Sequence, residues 1–148
     1  MTGITDLETL LASMEPELQP GEFVFCTLPP GVELERDVAA LATFMEKEGL
    51  TLIVDAAIAA RLDCPKSAPM RQISLKVHSS LEAVGLTAAI AAELTRHGIS
   101  ANVVAAFYHD HIFVGAADAE RAVMALKALS EKNRDMLESP SLPGTPSV

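Results

Sequence analysis

Apolar and polar residues alternate most regularly in the second half of the chain. Between residues 71 and 77 every second side chain is aliphatic, which predicts a strand with one buried face. Ser79 and Glu82 form a capping box, and the apolar spacing behind them predicts a helix that ends before Gly98. The predicted elements of this half, in chain order, are a strand at 71–77, a helix at 79–97, hairpin strands at 101–107 and 111–114, and a helix from 119 to about 134.

The first half carries a less regular pattern. Thr5 and Glu8 form a capping box for an amphipathic helix, and residues 22–28 (EFVFCTL) predict a strand with two apolar faces. We expect the leading helix to cover one of those faces. Apolar residues at helical spacing then predict a second helix that ends at Gly49; they are Val38, Leu41, Ala42 and Met45. The other elements predicted here are a strand at 50–54, a short helix at 56–62 and a linker at 64–69.

The two halves repeat one order of elements: strand, loop, helix, a Gly-aliphatic pair and a second strand. This repetition predicts two related βαβ-type units, and because the first half lacks a hairpin partner we expect it to be abbreviated. The units should share one sheet or stack face to face. We therefore expect a first unit with the leading helix at 1–64, a second unit at 70–134 and a disordered Pro/Ser/Gly-rich tail at 135–148.

Negative charge is concentrated in the first half. Residues 1–64 hold 12 acidic and 3 basic side chains, and the net charge of the whole chain is −9. Nucleic-acid binding rests on Lys and Arg contacts to phosphate, so this balance argues against it. We interpret the acidic half as a solvated surface, with a cationic partner as the alternative. Apolar runs are too short to span a membrane and no leader peptide is visible, so we expect a cytoplasmic protein.

Residues suited to catalysis do not converge in the sequence. Cys26 lies in an apolar run without an evident base, and Ser79 lacks a nucleophile-elbow context. His109 and His111 invite a metal hypothesis, but the side chains of a tight turn point apart and no typical ligand spacing supports them. We therefore expect no enzymatic activity, no cofactor and no metal site.

The segment HSSLEAVGLTAAIAAELTRHGISANVVAAFYHDHIFV resembles the ACT domain, a small βαββαβ module attached to amino-acid-metabolising enzymes. It is most similar to the ACT domains of aspartokinases and of arginine-sensing proteins. The whole chain resembles stand-alone bacterial proteins with two ACT-like units. The resemblance implies an α+β fold of the ferredoxin-like type, with an antiparallel sheet and helices mainly on one face.

The resemblance also implies an amino-acid site between paired ACT units. It assigns ligand contacts to the loop after the first strand, the helix start, the edge of the second strand and an acidic residue on the hairpin. In this chain those positions are His78, Ser79, Ser80, Val84, Gly85, Leu86, Asn102, Val103, Val104 and Asp110. The implied function is a regulatory amino-acid sensor, with a homodimer and a regulated partner protein as expected partners.

Several of these residues have a purely structural alternative. Helix capping could be the whole role of Ser79 and Ser80, and Asn102 could be a turn residue. Gly85 in a first helical turn needs a close backbone approach, either by a ligand or by a packing neighbour. Asp110 could hydrogen-bond its own turn. The alternative function is an interaction module without a ligand, in which the strand at 22–28 serves a homodimer sheet.

Overall fold

The computed structural model describes residues 6–138, and one antiparallel sheet of seven strands forms its centre. The strand order is β3-β4-β2-β5-β7-β6, and β1 also pairs with β5. The strands are β1 (Pro16–Leu18), β2 (Phe23–Leu28), β3 (Ala42–Glu46), β4 (Gly49–Asp55), β5 (Met70–Leu75), β6 (Ala101–Ala105) and β7 (Asp110–Gly115). The helices are α1 (Leu7–Ser13), α2 (Ala56–Ala59), α3 (Leu86–Arg96) and α4 (Ala119–Glu138), with a 3-10 turn at Ala116–Asp118 before α4. The prediction of an α+β fold is confirmed, and of the two arrangements left open by the sequence the structure has the shared sheet.

Helices α1, α3 and α4 cover one face of the second unit. Ile73 and Leu75 of β5 and Ile112 of β7 are fully buried beneath them. Leu10 of α1 and Met14, the C-cap of this helix, belong to the same apolar cluster, and α1 packs mainly against α4. The prediction that this helix covers the strand at 22–28 is therefore wrong. Asp6 caps α1 by accepting from the Thr9 amide at 3.0 Å, while Thr5 of the predicted capping box lies outside the described residues.

The helix predicted between residue 31 and Gly49 does not form. A loop leads to β3, which pairs with β4 in register from Ala42↔Ile53 to Glu46↔Gly49 and leaves Lys47 and Glu48 as the turn. The helical spacing misled because its members do not share a buried face: Val38 is buried, whereas Met45 is 85% exposed. The first unit is thus abbreviated by loss of its helix, and it does possess a hairpin.

Strand β2 lies inside the sheet. It pairs with β4 along its whole length and with β5 at Phe23↔Met70, and residues 65–67 run beside its other end. Because both of its edges are occupied, it cannot extend the sheet into a second copy as the alternative function required. Strand β1, which the sequence did not predict, occupies the rest of that β5 edge at Pro16↔Leu75.

The second half follows the sequence prediction with two corrections. Helix α3 begins at Leu86, so Ser79 and Glu82 form no capping box, and Glu82 instead donates its amide to Ser80 at 3.1 Å. The tail predicted at 135–148 begins too early, because residues 135–138 continue α4. Residues 139–148 lie outside the described part of the chain.

Candidate functional site

A small cavity lies where the β5–α3 loop meets the β6–β7 hairpin. Its volume is about 60 Å³. Residues from the loop, the start of α3 and the hairpin line it: Ser79, Ser80, Leu81, Ala83, Leu86, Thr87, Ala105 and Asp110. We call it the helix-side pocket, because Asp110 alternates with His111 on β7 and points to the face that carries the helices.

A buried hydrogen bond joins the two walls of the helix-side pocket. Ser79 Oγ donates to Asp110 Oδ2 at 2.9 Å, and each residue is only 7% exposed. The bond bridges 31 positions of sequence and fixes the loop on the hairpin. A carboxylate in such a place is costly unless positive charge or further donors face it. The pocket is therefore suited to a cationic group.

Positive electrostatic potential reaches the pocket from the start of α3. Gly85 precedes the helix with φ +96°, and no side chain caps the helix there. The first intrahelical bond here is donated by Ala89 to Gly85, so the amides of Leu86 and Thr87 are directed out of the helix end. Uncapped amides and the helix dipole favour a carboxylate at this end.

Gly85 is favoured by its backbone conformation and lies close to a packing neighbour. Its positive φ suits glycine, and a Cβ there would lie 3.1 Å from Leu7 Cδ2 of α1. Of the two reasons that the sequence left open, the structure shows a packing neighbour. The sequence predicted that Gly85 lies in the first turn of the helix. In the structure it is instead the N-cap residue that precedes α3.

The structure brings four of the ten sequence-selected residues to this cavity: Ser79, Ser80, Leu86 and Asp110. Thr87 and Ala105 also line it and were missed, because their place depends on where α3 begins and how the hairpin is registered. His78 instead lies against Tyr108, with ring centroids 5.4 Å apart, and Val84 is exposed.

The three residues chosen on β6 divide between the sheet faces. Val103 packs against the helix-covered core, so its neighbours Asn102 and Val104 point to the opposite face. Asn102 donates its amide to the Phe113 carbonyl at 3.3 Å. Asn102 and Val104 are therefore not on the side of the helix-side pocket.

The thiols and imidazoles are the remaining groups that the sequence offered for chemistry. No group of three or more His, Cys, Asp or Glu side chains there could hold a metal ion. Burial raises the pKa of the Cys26 thiol to about 11, with the neighbouring Cys64 adding to the rise. Cys26 is therefore protonated near neutral pH, and a thiol reacts as a nucleophile only as thiolate.

We expect a thiol reagent to modify Cys64 well before Cys26 at neutral pH. Cys64 is only half-buried, whereas Cys26 is buried and lacks thiolate. Peptide mapping after timed iodoacetamide labelling would measure both rates. Faster labelling of Cys26 in the folded protein would contradict this burial.

Comparisons with known proteins identify the family. Two ACT domain models match the chain, one over residues 2–71 and one over residues 67–128. No match was found among curated proteins. The chain belongs to the ACT domain family.

Solved structures agree with this assignment. A Vibrio cholerae protein of unknown function, described as a possible transport protein, is 49% identical with a TM-score of 0.76, over 87% of this chain and 99% of that one. The regulatory subunit of Thermus flavus aspartate kinase is 10% identical with a TM-score of 0.58, over 79% and 97%. Escherichia coli aspartokinase III in complex with aspartate and ADP is 12% identical with a TM-score of 0.57, over 77% and 32%. The fold is thus that of ferredoxin-like ACT regulatory domains.

None of the helices in residues 6–138 is both long enough and apolar enough to cross a membrane.

Proposed function

We propose that this chain is a regulatory sensor that binds a free amino acid in the helix-side pocket. One observation carries the proposal: the uncapped start of α3 and the buried Asp110 carboxylate face the same cavity. Membership of the ACT domain family supports a regulatory role.

The two ends of the pocket match the two charges of a zwitterion. The amides of Leu86 and Thr87 would receive the α-carboxylate, as helix N-termini receive anions. Asp110, held by Ser79, would receive the α-ammonium group or a cationic side chain. Ser80 also lines the cavity.

The pocket must widen, or be completed by a second copy of the chain, to hold an amino acid. Its volume of about 60 Å³ has room for only a few waters. Large apolar side chains on the two loops that form it are exposed: Leu81, Val84, Phe107 and Tyr108. A homodimer that covers them would enclose the ligand, and binding would then shift the packing of the two copies through its different affinity for each arrangement. A partner protein would bind one of the two arrangements in preference to the other.

Thermal melting against the twenty amino acids tests the proposal. A ligand present at 100 times its dissociation constant adds about 2.7 kcal/mol to the free energy of unfolding, which raises Tm by several degrees. We expect a rise in Tm with only one or a few of the amino acids. Asp110→Asn should weaken the binding of such an amino acid roughly ten- to hundredfold, because its charge-assisted hydrogen bond is lost.

Asp63→Asn is the matched control, since it removes the same charge from an exposed position. A flat profile across all twenty amino acids would overturn the proposal. So would a rise that Asp110→Asn leaves unchanged, because the ligand would then bind elsewhere.

A further inference from the structure

A second and larger cleft lies on the sheet face opposite the helices. Its volume is about 420 Å³, and we call it the sheet-side cleft. Gln72 and Ser74 of β5 form its floor, since they alternate with the helix-covered Ile73 and Leu75. His109 and His111 reach it from the β7 end, where they flank Asp110. Leu41, which precedes β3, adds a wall from the first unit.

A hydrogen-bond network surrounds His111 on the floor of the cleft. Gln72 Nε2 lies 3.1 Å from His111 Nδ1, and Ser74 Oγ lies 2.8 Å from the same nitrogen. With Gln72 Nε2 as the donor, Nδ1 accepts, and neutral His111 then carries its proton on Nε2. Burial, followed by the charge of His109, holds the pKa of His111 below its ordinary value against the opposing effect of Asp110. The ring is therefore neutral at neutral pH.

The network leaves a donor beside an acceptor for a ligand. His111 Nε2 and Gln72 Oε1 make no hydrogen bond to another residue among residues 6–138, and Gln72 Oε1 stays accessible from the cleft. His109 Nδ1 donates to the Val77 carbonyl at 3.3 Å, which fixes this ring at the end of the cleft. An accessible amide oxygen without a protein donor can accept a hydrogen bond from a ligand in the cleft.

The Lys and Glu charges at the rim of the sheet-side cleft cancel. Lys76 Nζ and Glu17 Oε2 form an ion pair of 2.8 Å at the rim, and both side chains remain about half exposed. The floor groups carry no net charge when His111 is neutral. A ligand of net charge zero therefore suits the cleft better than an anion or a cation.

We propose that the sheet-side cleft is a second binding site, for a net-neutral small molecule whose primary carboxamide sits on the floor. The amide NH₂ would donate to Gln72 Oε1, and the amide oxygen would accept from His111 Nε2–H. If the molecule is also a zwitterion, the Glu17–Lys76 pair can meet its two charges. This site is on the other face of the sheet from the helix-side pocket and does not depend on ligand binding there.

Imidazole ¹H–¹⁵N spectra of the full chain test the proposal with four probes. L-glutamine and L-asparagine carry the carboxamide, while L-glutamate and L-aspartate replace it with a carboxylate of the same shape. At roughly 10 mM, which saturates a site of millimolar affinity, we expect the two amides to shift the His111 signals. The carboxylates should bind at least tenfold more weakly, because a carboxylate cannot donate to Gln72. The spectra of the free protein should show the Nε2–H tautomer of His111.

Two variants locate the binding. Leu41→Trp fills the cleft from a half-exposed position outside the floor network, and Gln72→Met removes the amide at similar size. Each should weaken amide binding at least tenfold, whereas Asp110→Asn should not. Equal shifts by glutamine and glutamate, no shift by any probe, or an effect unchanged in Leu41→Trp would each overturn the proposal. None of these results bears on melting shifts that depend on Asp110.

Discussion

Gly49→Ala is expected to lower the free energy of unfolding by about 3 kcal/mol or more. Gly49 begins β4 with φ +148°, a conformation that L side chains rarely adopt. A Cβ there would overlap the carbonyl oxygen of Leu28. Leu28 lies on β2 opposite Leu50, the residue that follows Gly49. The overlap is with backbone inside the sheet, so relief requires β2 and β4 to separate. Urea denaturation followed by far-UV circular dichroism would measure the loss.

Gly98→Ala is the matched control for Gly49→Ala. Gly98 also has a positive φ, of +70°, but no atom lies within 4 Å of an added Cβ. Its replacement should cost only the conformational term, roughly 1–2 kcal/mol. If both variants lose the same stability, the close approach of Gly49 to β2 is contradicted.

The sequence predicted the elements of the fold well where the pattern of apolar and polar residues was regular, and poorly where it was not. In the second half, strict alternation and a glycine after the helix agreed with tertiary packing, so β5, β6, β7 and α4 were predicted to within a few residues. In the first half, the apolar residues from Val38 to Met45 fitted a helical period by chance. Pairing with β4, which lies beyond any local window, decided the conformation of that segment instead.

The candidate site was predictable only in part, because long-range pairing assembles it. Ser79 was selected as a helix cap, yet its hydroxyl is used by Asp110, 31 positions away. Helix α3 begins seven positions after Ser79, at Leu86, without a side-chain cap. The sheet-side network had no sequence signal, since Gln72 and Ser74 look like the solvent face of an amphipathic strand.

The division of the chain into units at 64 and 70 stays a prediction, and the packing of the leading segment argues for strong coupling between them. Helix α1 and strand β1 come first in the chain but pack on α4 and β5 of the second unit. Strand β2 then joins β4 of the first unit to β5 of the second. Two apolar clusters therefore lie beneath one continuous sheet.

Leu10→Ala should accordingly lower the free energy of unfolding by about 2–5 kcal/mol. Leu10 is fully buried among the residues of the second-unit cluster, and truncation would leave a cavity between α1 and the sheet. Leu52→Ala, in the first-unit cluster, should cause a loss of the same order. Because the shared sheet couples the clusters, both variants should shift one cooperative transition in urea.

Met124→Ala on α4 provides the control, since Met124 is 70% exposed and its truncation should change stability by less than about 0.5 kcal/mol. A loss for Leu10→Ala as small as that of Met124→Ala would contradict the docking of α1 in the second unit. Two separate transitions in Leu10→Ala, with the first unit unfolding as in the parent chain, would contradict the coupling through the sheet. A single transition at lower urea concentration would mean that α1 stabilises the part of the fold that carries the helix-side pocket, and with it the whole sheet.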